Sequence, residues 1–428
     1  MQEFVIPPYE TDAYLQLKAQ IETDEAFYMA LTASLMIATR RAAGELDDDL
    51  YHALDDVFGG QGWPMTPEEY LDYIAMYLVL IPNEQNDPLY PDAWTSTDEG
   101  NGYNQKVFDL LCQFYFLVDQ DIPGGTTLQD YTNGDFVFAD WLRTFATDWG
   151  NFLDTEESFP LWAQASFMAD PMYNYPLYAK NEAGWKTFNQ FFYREFNDAN
   201  EKGQTPLRPI AEPKNNNAIV SAADCTYKME YPIDDDGVVM GISGEVVTLK
   251  HTHTVYTVDE LLEDEELAQQ FYGGTFVHYF LSPFDYHRFH SPADGTVVES
   301  KALQGKVFLD VVLTDEGEFD APDSAQGGYE FSQARGVFIV DTQSPVGLVA
   351  AIPIGMAQVS GVDMYTQMKG QAVAKGDEFG KFRFGGSDII LLFQRNPDLY
   401  LWKKDPSHNP IHFQYGQVAA YWDVKEQQ

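Results

Sequence analysis

The stretch Phe384-Gly385-Gly386-Ser387-Asp388, followed by Ile389-Ile390-Leu391-Leu392-Phe393, places two glycines and a serine directly before an apolar run. The apolar run predicts a buried strand, and paired glycines permit positive φ and close approach of the backbone. We therefore expect the Ser387 hydroxyl at the beginning of a rigid element, positioned to attack the carbonyl of Gly386. On these residues alone, a tight turn before a core strand remains the simpler interpretation.

A second segment, residues 281–295, has the sequence LSPFDYHRFHSPADG. Ser282 is a good helix N-cap and Pro283 suits the first helical position, so one helical turn is predicted. Such a turn would present His287 and His290 on one face. Because the chain contains only eight histidines, two imidazoles presented together indicate a site rather than two separate core residues.

The sequences FLSPFDYHRFHSPADG and KGDEFGKFRFGGSDIILLF together resemble the phosphatidylserine decarboxylase family. The resemblance extends from Phe188 to Phe393 and includes FNQFFYREF, IVSAADC and YTVDELL. Members of that family cut themselves before a serine, which becomes a pyruvoyl group. The motif departs from the family pattern at Asp388, where threonine is usual. Some larger relatives have an additional amino-terminal domain, read Gly-Gly-Ser at this site, and decarboxylate free aromatic amino acids.

The resemblance implies self-cleavage between Gly386 and Ser387. The serine hydroxyl adds to the Gly386 carbonyl, an ester forms, and elimination leaves a residue that becomes the pyruvoyl cap. A serine needs an adjacent base for such an attack. The pyruvoyl ketone then serves as a covalent electron sink, as pyridoxal phosphate does elsewhere, through a Schiff base with the substrate amine. The resemblance therefore implies no external cofactor and no metal.

Site roles follow from the same resemblance. Asp224, in SAADC, matches the family's orienting carboxylate, although Cys225 replaces the expected glycine. Asp294 is the alternative carboxylate, but its Pro-Ala-Asp-Gly sequence is also an ordinary turn sequence. The orienting role is assigned to Asp224, with a turn-forming acid as the alternative interpretation. The correspondence pairs His290 with Asp224 during self-cleavage and leaves His287 to handle protons during decarboxylation.

Two further patterns are weaker. His251 and His253 lie two apart, as a metal pair on one strand face would, but no third ligand is apparent and an exposed strand is favoured. The acidic run that ends at Gly237 lacks the ligand spacing of a calcium loop and predicts a turn.

Composition restricts the function further. The 428 residues include 67 acidic and 25 basic side chains, a formal charge of −42. This balance opposes binding to nucleic acid and to anionic lipid surfaces. Cys112 and Cys225 do not form a disulfide framework, and no secretory signal or transmembrane segment is apparent. The expected location is the cytoplasm, and a homo-oligomer is compatible with the sequence.

The pattern along the chain predicts an α+β protein. Residues 1–165 form a mainly helical amino-terminal domain, residues 166–217 a junction helix and linker, and residues 218–428 a mostly antiparallel, β-rich catalytic domain. Trp141, Phe145 and Trp149 recur four apart, which is typical of interhelical packing more than of a substrate pocket.

The predicted function is pyruvoyl-dependent decarboxylation of a free L-amino acid, with an aromatic one favoured. Two alternatives stay open. The chain could act on phosphatidylserine to make phosphatidylethanolamine, or it could be an unprocessed, non-catalytic member in which Asp388 has spoiled the self-cleaving geometry.

Overall fold

The structure is a computed structural model that describes residues 7–94, 105–178, 184–197, 207–241, 256–307, 309–321, 331–356 and 361–422. The chain divides into two compact units, one of Met1–Phe191 with Lys306–Pro322, the other of Phe192–Gly305 with Asp323–Gln428. The sequence analysis placed the first boundary at residue 165 and did not assign residues 306–322 to the helical unit.

The first unit is mainly helical. Its helices are α1 (Asp12–Thr23), α2 (Glu25–Glu45), α3 (Asp48–Val57), α4 (Pro67–Tyr77), α5 (Lys106–Phe116), α6 (Phe138–Leu153) and α7 (Leu161–Ala169), and its short antiparallel pairs are β1 (Thr132–Asn133) with β2 (Phe136–Val137) and β8 (Val312–Leu313) with β9 (Phe319–Asp320). Side chains define the helix starts. Thr66 and Glu69 form a capping box at α4, and Asp24 accepts two backbone N–H groups at α2. Each cap satisfies donors that a helix end leaves unpaired.

The aromatic stripe of α6 packs between helices, as predicted. Phe145 stacks on Phe114 with ring centroids 4.6 Å apart, and Trp149 meets Tyr77 edge-on at 5.1 Å. All four rings are almost fully buried. The stripe is therefore helix packing within this unit.

The second unit is built around an eight-stranded sheet with the order β13-β7-β10-β11-β15-β5-β4-β17, in which every pair is antiparallel. These strands are β4 (Cys225–Pro232), β5 (Thr275–Leu281), β7 (Gly295–Leu303), β10 (Arg335–Asp341), β11 (Leu348–Met356), β13 (Ala372–Val373), β15 (Gly386–Phe393) and β17 (His412–Phe413). Two three-stranded sheets complete it, β12 (Val362–Met364), β14 (Glu378–Phe382) and β6 (Arg288–His290), and β16 (Leu399–Leu401), β18 (Val418–Trp422) and β3 (Ala218–Val220). The α+β prediction is confirmed.

Strand β15 lies inside the large sheet, between β11 and β5. The sequence predicted a strand after Ser387, whereas the strand begins at Gly386 and Ser387 pairs with Gly355 on one side and Leu281 on the other. The serine is therefore held by ladder pairing on both edges rather than at an open end.

The helices of this part of the chain are short. The predicted junction helix is α8 (Phe188–Phe192). The helices α9 (Val258–Leu262) and α10 (Glu265–Ala268) are separate, because Glu263 between them adopts a left-handed conformation with φ 46°. Thr257 caps α9 and forms a capping box with Glu260. Among the described residues, no helix is both long and apolar enough to cross a membrane.

Candidate active site

The histidine segment does not form the predicted helical turn. Asp285 folds back on Ser282, accepting its backbone N–H at 2.8 Å and donating its own N–H to the Ser282 carbonyl at 2.9 Å. The chain then enters β6, which pairs with β14. Strand pairing therefore overrides the local helix signals. Alternate residues of a strand face opposite sides. His287 and His290 are three residues apart in an extended segment and therefore do not lie on one face, in contrast to the prediction.

His287 is fully buried among aromatic rings. Its imidazole stacks on Phe192 with centroids 3.8 Å apart. Neither ring nitrogen has a hydrogen-bond partner within the part of the chain that the structure describes. Burial, with a contribution from the positive charge of Arg194, lowers the pKa of His287 well below its usual value. A backbone contact with Asp285 opposes this shift without outweighing it, so the imidazole is neutral near pH 7.

His290 is held on both nitrogens. Its Nδ1 lies 2.8 Å from the Gly376 carbonyl oxygen, and because a carbonyl only accepts, Nδ1 carries the proton. Nε2 is then the acceptor, at 3.1 Å from the Tyr286 hydroxyl. The Tyr415 ring stacks on the imidazole at 3.8 Å with a 6° interplanar angle. Burial lowers the pKa of His290 to about 4, so a neutral, fixed tautomer is presented.

Asp224 contacts His290 indirectly. Its Oδ2 accepts from Arg208 at 2.7 Å, and its Oδ1 accepts the backbone N–H of Tyr415 at 2.8 Å. Since the Tyr415 ring stacks on His290, the carboxylate fixes the residue that supports the imidazole. The described hydrogen bonds of His290 go to Gly376 and Tyr286 instead, so a direct pairing with Asp224 during self-cleavage stays a prediction.

The residues beside these candidates have structural partners. Asp294 accepts the Lys375 backbone N–H at 2.7 Å, which fits its turn interpretation. The Cys225 thiol is buried next to Ser221 at 3.3 Å, and burial raises its pKa. Asp234 accepts from two backbone N–H groups that follow it, as the predicted turn requires. His251 and His253 lie outside the described residues.

Ser387 is fully buried, and its Oγ has no hydrogen-bond partner among the described residues. Gly385, two positions earlier, has φ 149°, a conformation that residues with a side chain rarely adopt. Phe384 packs edge-on against Phe192 at 5.3 Å, and Phe192 in turn stacks on His287. The serine segment and His287 are thus linked through one aromatic ring.

The sequence analysis missed the arginines that fix the histidine segment. Arg194 is almost fully buried and donates to the carbonyls of Phe284 and Asp285 at 2.6 and 3.1 Å. Arg288 forms ion pairs with Glu378 at 2.7 Å and Glu195 at 3.0 Å. The signal for Arg194 was available, since it is the basic residue of FNQFFYREF.

Tyr286 and Tyr415, the two rings that stack on His290, were also not among the predicted site residues. Tyr286 lies within the histidine motif, but nothing in the local sequence distinguishes it from a core tyrosine. Tyr415 lies in a polar carboxyl-terminal segment that carries no pattern pointing to a site.

The candidate site thus contains a buried serine without a hydrogen-bond partner among the described residues, and two buried histidines whose pKa values are lowered by burial. The family profile described as phosphatidylserine decarboxylase matches residues 188–419, more than half of the chain. The chain belongs to this family, whose members are decarboxylases and therefore carboxy-lyases.

Curated relatives fall into two groups. The chain is similar to the decarboxylase iboD of Amanita muscaria, 28% identical over 60% of this chain and 77% of that protein. It is also similar to the L-tryptophan decarboxylase of Psilocybe cubensis, 28% identical over 50% of this chain and 47% of that protein. The phosphatidylserine decarboxylase proenzyme of Fusobacterium nucleatum is 30% identical over 59% of this chain and 75% of that protein.

Proposed function

We propose that the chain cuts itself between Gly386 and Ser387 and then decarboxylates a free L-amino acid with an aromatic side chain. The observation that carries this proposal is the Ser387 hydroxyl, which is buried in a paired strand without a hydrogen-bond partner among the residues that the structure describes. Leaving a buried hydroxyl unsatisfied costs about 1–3 kcal/mol. Such a cost is typical of groups retained for chemistry. A serine in this state fits a residue that is to become a pyruvoyl group.

Self-cleavage proceeds through an ester. Ser387 Oγ attacks the Gly386 carbonyl carbon while a base removes the hydroxyl proton, and the amide nitrogen of Ser387 leaves with a proton. Loss of the α-proton of Ser387 then breaks the Cβ–O bond and releases the Gly386 carboxylate. The resulting dehydroalanine tautomerises to an imine, and water replaces its nitrogen as ammonia to give the pyruvoyl group.

The two histidines are assigned different tasks. His290 is the base of self-cleavage, because the Gly376 carbonyl fixes the proton on its Nδ1. The lone pair on Nε2 can then accept the serine proton once the Tyr286 hydroxyl no longer donates to it. Asp224 supports this geometry through Tyr415. His287 handles protons during decarboxylation, because an imidazole can take up a proton from water on one nitrogen while it gives the proton on its other nitrogen to the carbon that loses CO₂.

The surroundings of His287 favour an aromatic substrate. Phe192 stacks on the imidazole, and Phe384 and Phe382 are ring neighbours of Phe192 and His287 respectively. A pyruvoyl group supplies the carbonyl that accepts the electrons released with CO₂. Aromatic side chains around it offer stacking to a flat, apolar substrate. The similarity to an L-tryptophan decarboxylase supports the same substrate class.

Phosphatidylserine is the competing substrate, supported by the family description and by the Fusobacterium relative. The charge of −42 opposes it, because a leaflet containing anionic phosphatidylserine repels an acidic protein.

Two measurements test the proposal. Intact-mass analysis of the purified chain should show fragments 1–386 and 387–428, the second with a pyruvoyl amino terminus, whereas Ser387→Ala should remain one chain of 48.5 kDa. A CO₂-release screen of the twenty amino acids, beside phosphatidylserine in mixed micelles, should show turnover of an aromatic amino acid. An uncleaved wild-type chain would refute the processing, and turnover of the lipid alone would refute the substrate.

A further inference from the structure

We propose that His412 is a positioning residue, which acts through Asp285 to hold the part of the chain that carries His287. The proposal rests on the proposed function where it concerns CO₂ release, since that function assigns His287 to the decarboxylation step. His412 lies on β17, far along the chain from the histidine motif, and the structure brings its side chain to the turn that precedes this motif.

The side chain of Asp285 connects the turn to His412. Its Oδ2 accepts the backbone N–H of Ser282 at 2.8 Å, and its Oδ1 lies 3.3 Å from His412 Nε2. Only 6% of the Asp285 side chain is exposed, against 45% of the His412 side chain. Burial raises the pKa of Asp285, and the contact with His412 opposes this shift. Because a buried carboxylate is costly unless it is paired, His412 stabilises the charged form of the residue that closes the turn.

The imidazole of His412 is placed to carry the compensating proton. Its Nδ1 lies 2.9 Å from Thr226 Oγ1 on β4, so with Asp285 beside Nε2 each nitrogen has an oxygen that can accept. The contact with Asp285 raises the pKa of His412, and Asp224 adds to this shift while burial and Arg208 oppose it. Within the described residues, Asp285, Asp224 and Arg208 are thus the charged groups that act on this imidazole.

The main chain of Asp285 extends this connection to His287. The Asp285 carbonyl accepts from Arg194 at 3.1 Å, and the backbone of Asp285 also contacts the His287 imidazole. One residue therefore holds His412 with its side chain and meets the ring of His287 with its backbone. A shift of Asp285 moves this ring, and a misplacement of about 1 Å in an active site can cost about 100-fold in rate.

The charge of His412 makes this support depend on pH. Since the pKa of His412 is raised in the folded chain above the value of about 6.5 expected when unfolded, the contribution of the imidazolium is fully present below pH 6.5. It is lost as the pH rises through the folded pKa, and kcat for CO₂ release should fall over the same range. His412→Arg keeps a positive charge and should remove this fall. His412→Gln should lower kcat about tenfold at pH 6.5, with KM nearly unchanged.

Asp285→Asn provides the background that separates positioning from independent effects. The amide oxygen can still accept the Ser282 N–H, and no carboxylate remains for His412 to compensate. In this background, His412→Gln should change kcat by less than about twofold. Two substitutions that act independently would multiply their effects instead.

The experiment has one arm that needs no turnover and one that does. NMR of isotopically labelled histidines is recorded in full-length Ser387→Ala, which should remain uncleaved. The His412 resonance should titrate above pH 6.5, and the His287 resonance should shift when His412→Gln is introduced. In matured chains, CO₂ release is followed from L-tryptophan, L-tyrosine and L-phenylalanine, and from phosphatidylserine in mixed micelles.

His408→Asn is the matched control. His408 is an exposed histidine in the turn that precedes β17, and its φ of 69° is one that asparagine tolerates. The variant removes an imidazole from the same segment without touching Asp285. We expect it to leave kcat and the His287 resonance unchanged.

A shifted His287 resonance, together with a fall in kcat that Asp285→Asn makes insensitive to His412→Gln, supports the proposal. A His287 resonance that stays in place in His412→Gln overturns it, and so does an equal fall in both backgrounds. If His412→Gln does not fold, His412→Arg decides, since an alkaline fall in kcat that persists in this variant contradicts the role. If the wild-type chain releases CO₂ from none of the four compounds, the proposed function fails, and the resonances still decide whether His412 positions His287.

Discussion

Both units bury many aromatic rings, but the rings enclose different partners. In the helical unit, Phe145 stacks on Phe114, and Trp149 meets Tyr77. In the β-rich unit, Phe192 and Tyr415 each stack on a histidine, both with centroids 3.8 Å apart. Ring-on-ring contacts stabilise a core, whereas ring-on-imidazole contacts also remove water from a titratable group and keep it neutral. The number of aromatic residues in a unit therefore says less about the position of a site than the identity of the side chains that the rings contact.

Buried polar groups distinguish the two units less clearly. In the helical unit, burial raises the pKa of Asp109 to about 8, yet the carboxyl accepts a hydrogen bond from Trp94 at 3.2 Å. Lys106, whose pKa burial lowers to about 8, donates to Asn83 and Gln85. Unpartnered buried groups occur in both units, since the hydroxyls of Tyr70, Tyr73 and Tyr115 have no partner among the described residues, and neither has Ser387 Oγ. An unsatisfied buried group therefore does not identify a site by itself, and Ser387 is a candidate because it also follows the two glycines of the motif.

The largest expected effect separates the two histidines. His290→Ala, which removes the proposed base, should slow self-cleavage by about 100-fold or more. Asp224→Asn should slow it as well, because the variant weakens the support given through Tyr415. Because His290 and Asp224 are proposed to act as a unit, the variant that carries both substitutions should cleave scarcely more slowly than His290→Ala. Intact mass against time after synthesis measures each rate.

His287→Ala is the counterpart. It should cleave, at least in part, and then release CO₂ poorly, because its unpartnered imidazole is assigned to the decarboxylation step. If His290→Ala matures normally while His287→Ala stays uncleaved, the roles of the two rings are exchanged.

The next effect compares the two kinds of stacking directly. Tyr415→Ala removes the ring that supports His290 and should slow self-cleavage about tenfold per folded molecule, by analogy with the loss of a positioning contact. Phe145→Ala removes a ring of the helical unit and should lower the free energy of unfolding by about 3–5 kcal/mol. Its cleavage rate per folded molecule should remain that of the wild type. Urea unfolding and mass analysis of both variants make the comparison.

If Phe145→Ala instead slows cleavage as much as Tyr415→Ala at equal folded fraction, the distinction between the two aromatic clusters fails.

Much of this fold could be predicted from local patterns. The run Ile389–Phe393 indicated a buried strand because its apolar residues are continuous. The spacing of Trp141, Phe145 and Trp149 indicated helix packing because it concerns one face of one helix. The predicted helical turn in the histidine segment was wrong because it also rested on local signals alone. Its Ser-Pro-x-Asp sequence suits a helix start, but pairing of residues 288–290 with β14 decides the conformation. Such pairing joins residues about ninety positions apart, which a local pattern cannot show.

The site was predictable only where a motif carried it. Ser387, His287, His290 and Asp224 lie in stretches with recognisable sequence. Tyr415 does not, because its place on the His290 ring depends on contacts between segments that lie far apart in the sequence.

The smallest expected effect concerns stability against pH. The pKa of His290 is about 4 in the folded chain, below the value of about 6.5 expected when unfolded. Below pH 6.5 the unfolded chain therefore takes up a proton that the folded chain does not bind until about pH 4. The contribution of His290 to stability is present above pH 6.5 and is lost as the pH falls toward 4. At pH 4.5 the loss amounts to roughly 2 kcal/mol.

Urea unfolding at pH 7 and pH 4.5 measures this loss in Ser387→Ala, which stays uncleaved, and in Ser387→Ala with His290→Gln. The carboxylates titrate equally in both chains, so the difference between the two pH-dependent losses isolates the imidazole. We expect the variant that retains His290 to lose more stability, by roughly 2 kcal/mol. Equal losses would mean that His290 titrates near its ordinary pKa and that the rings of Tyr286 and Tyr415 do not keep it neutral. The contrast between ring-on-imidazole and ring-on-ring packing would then lose its chemical meaning.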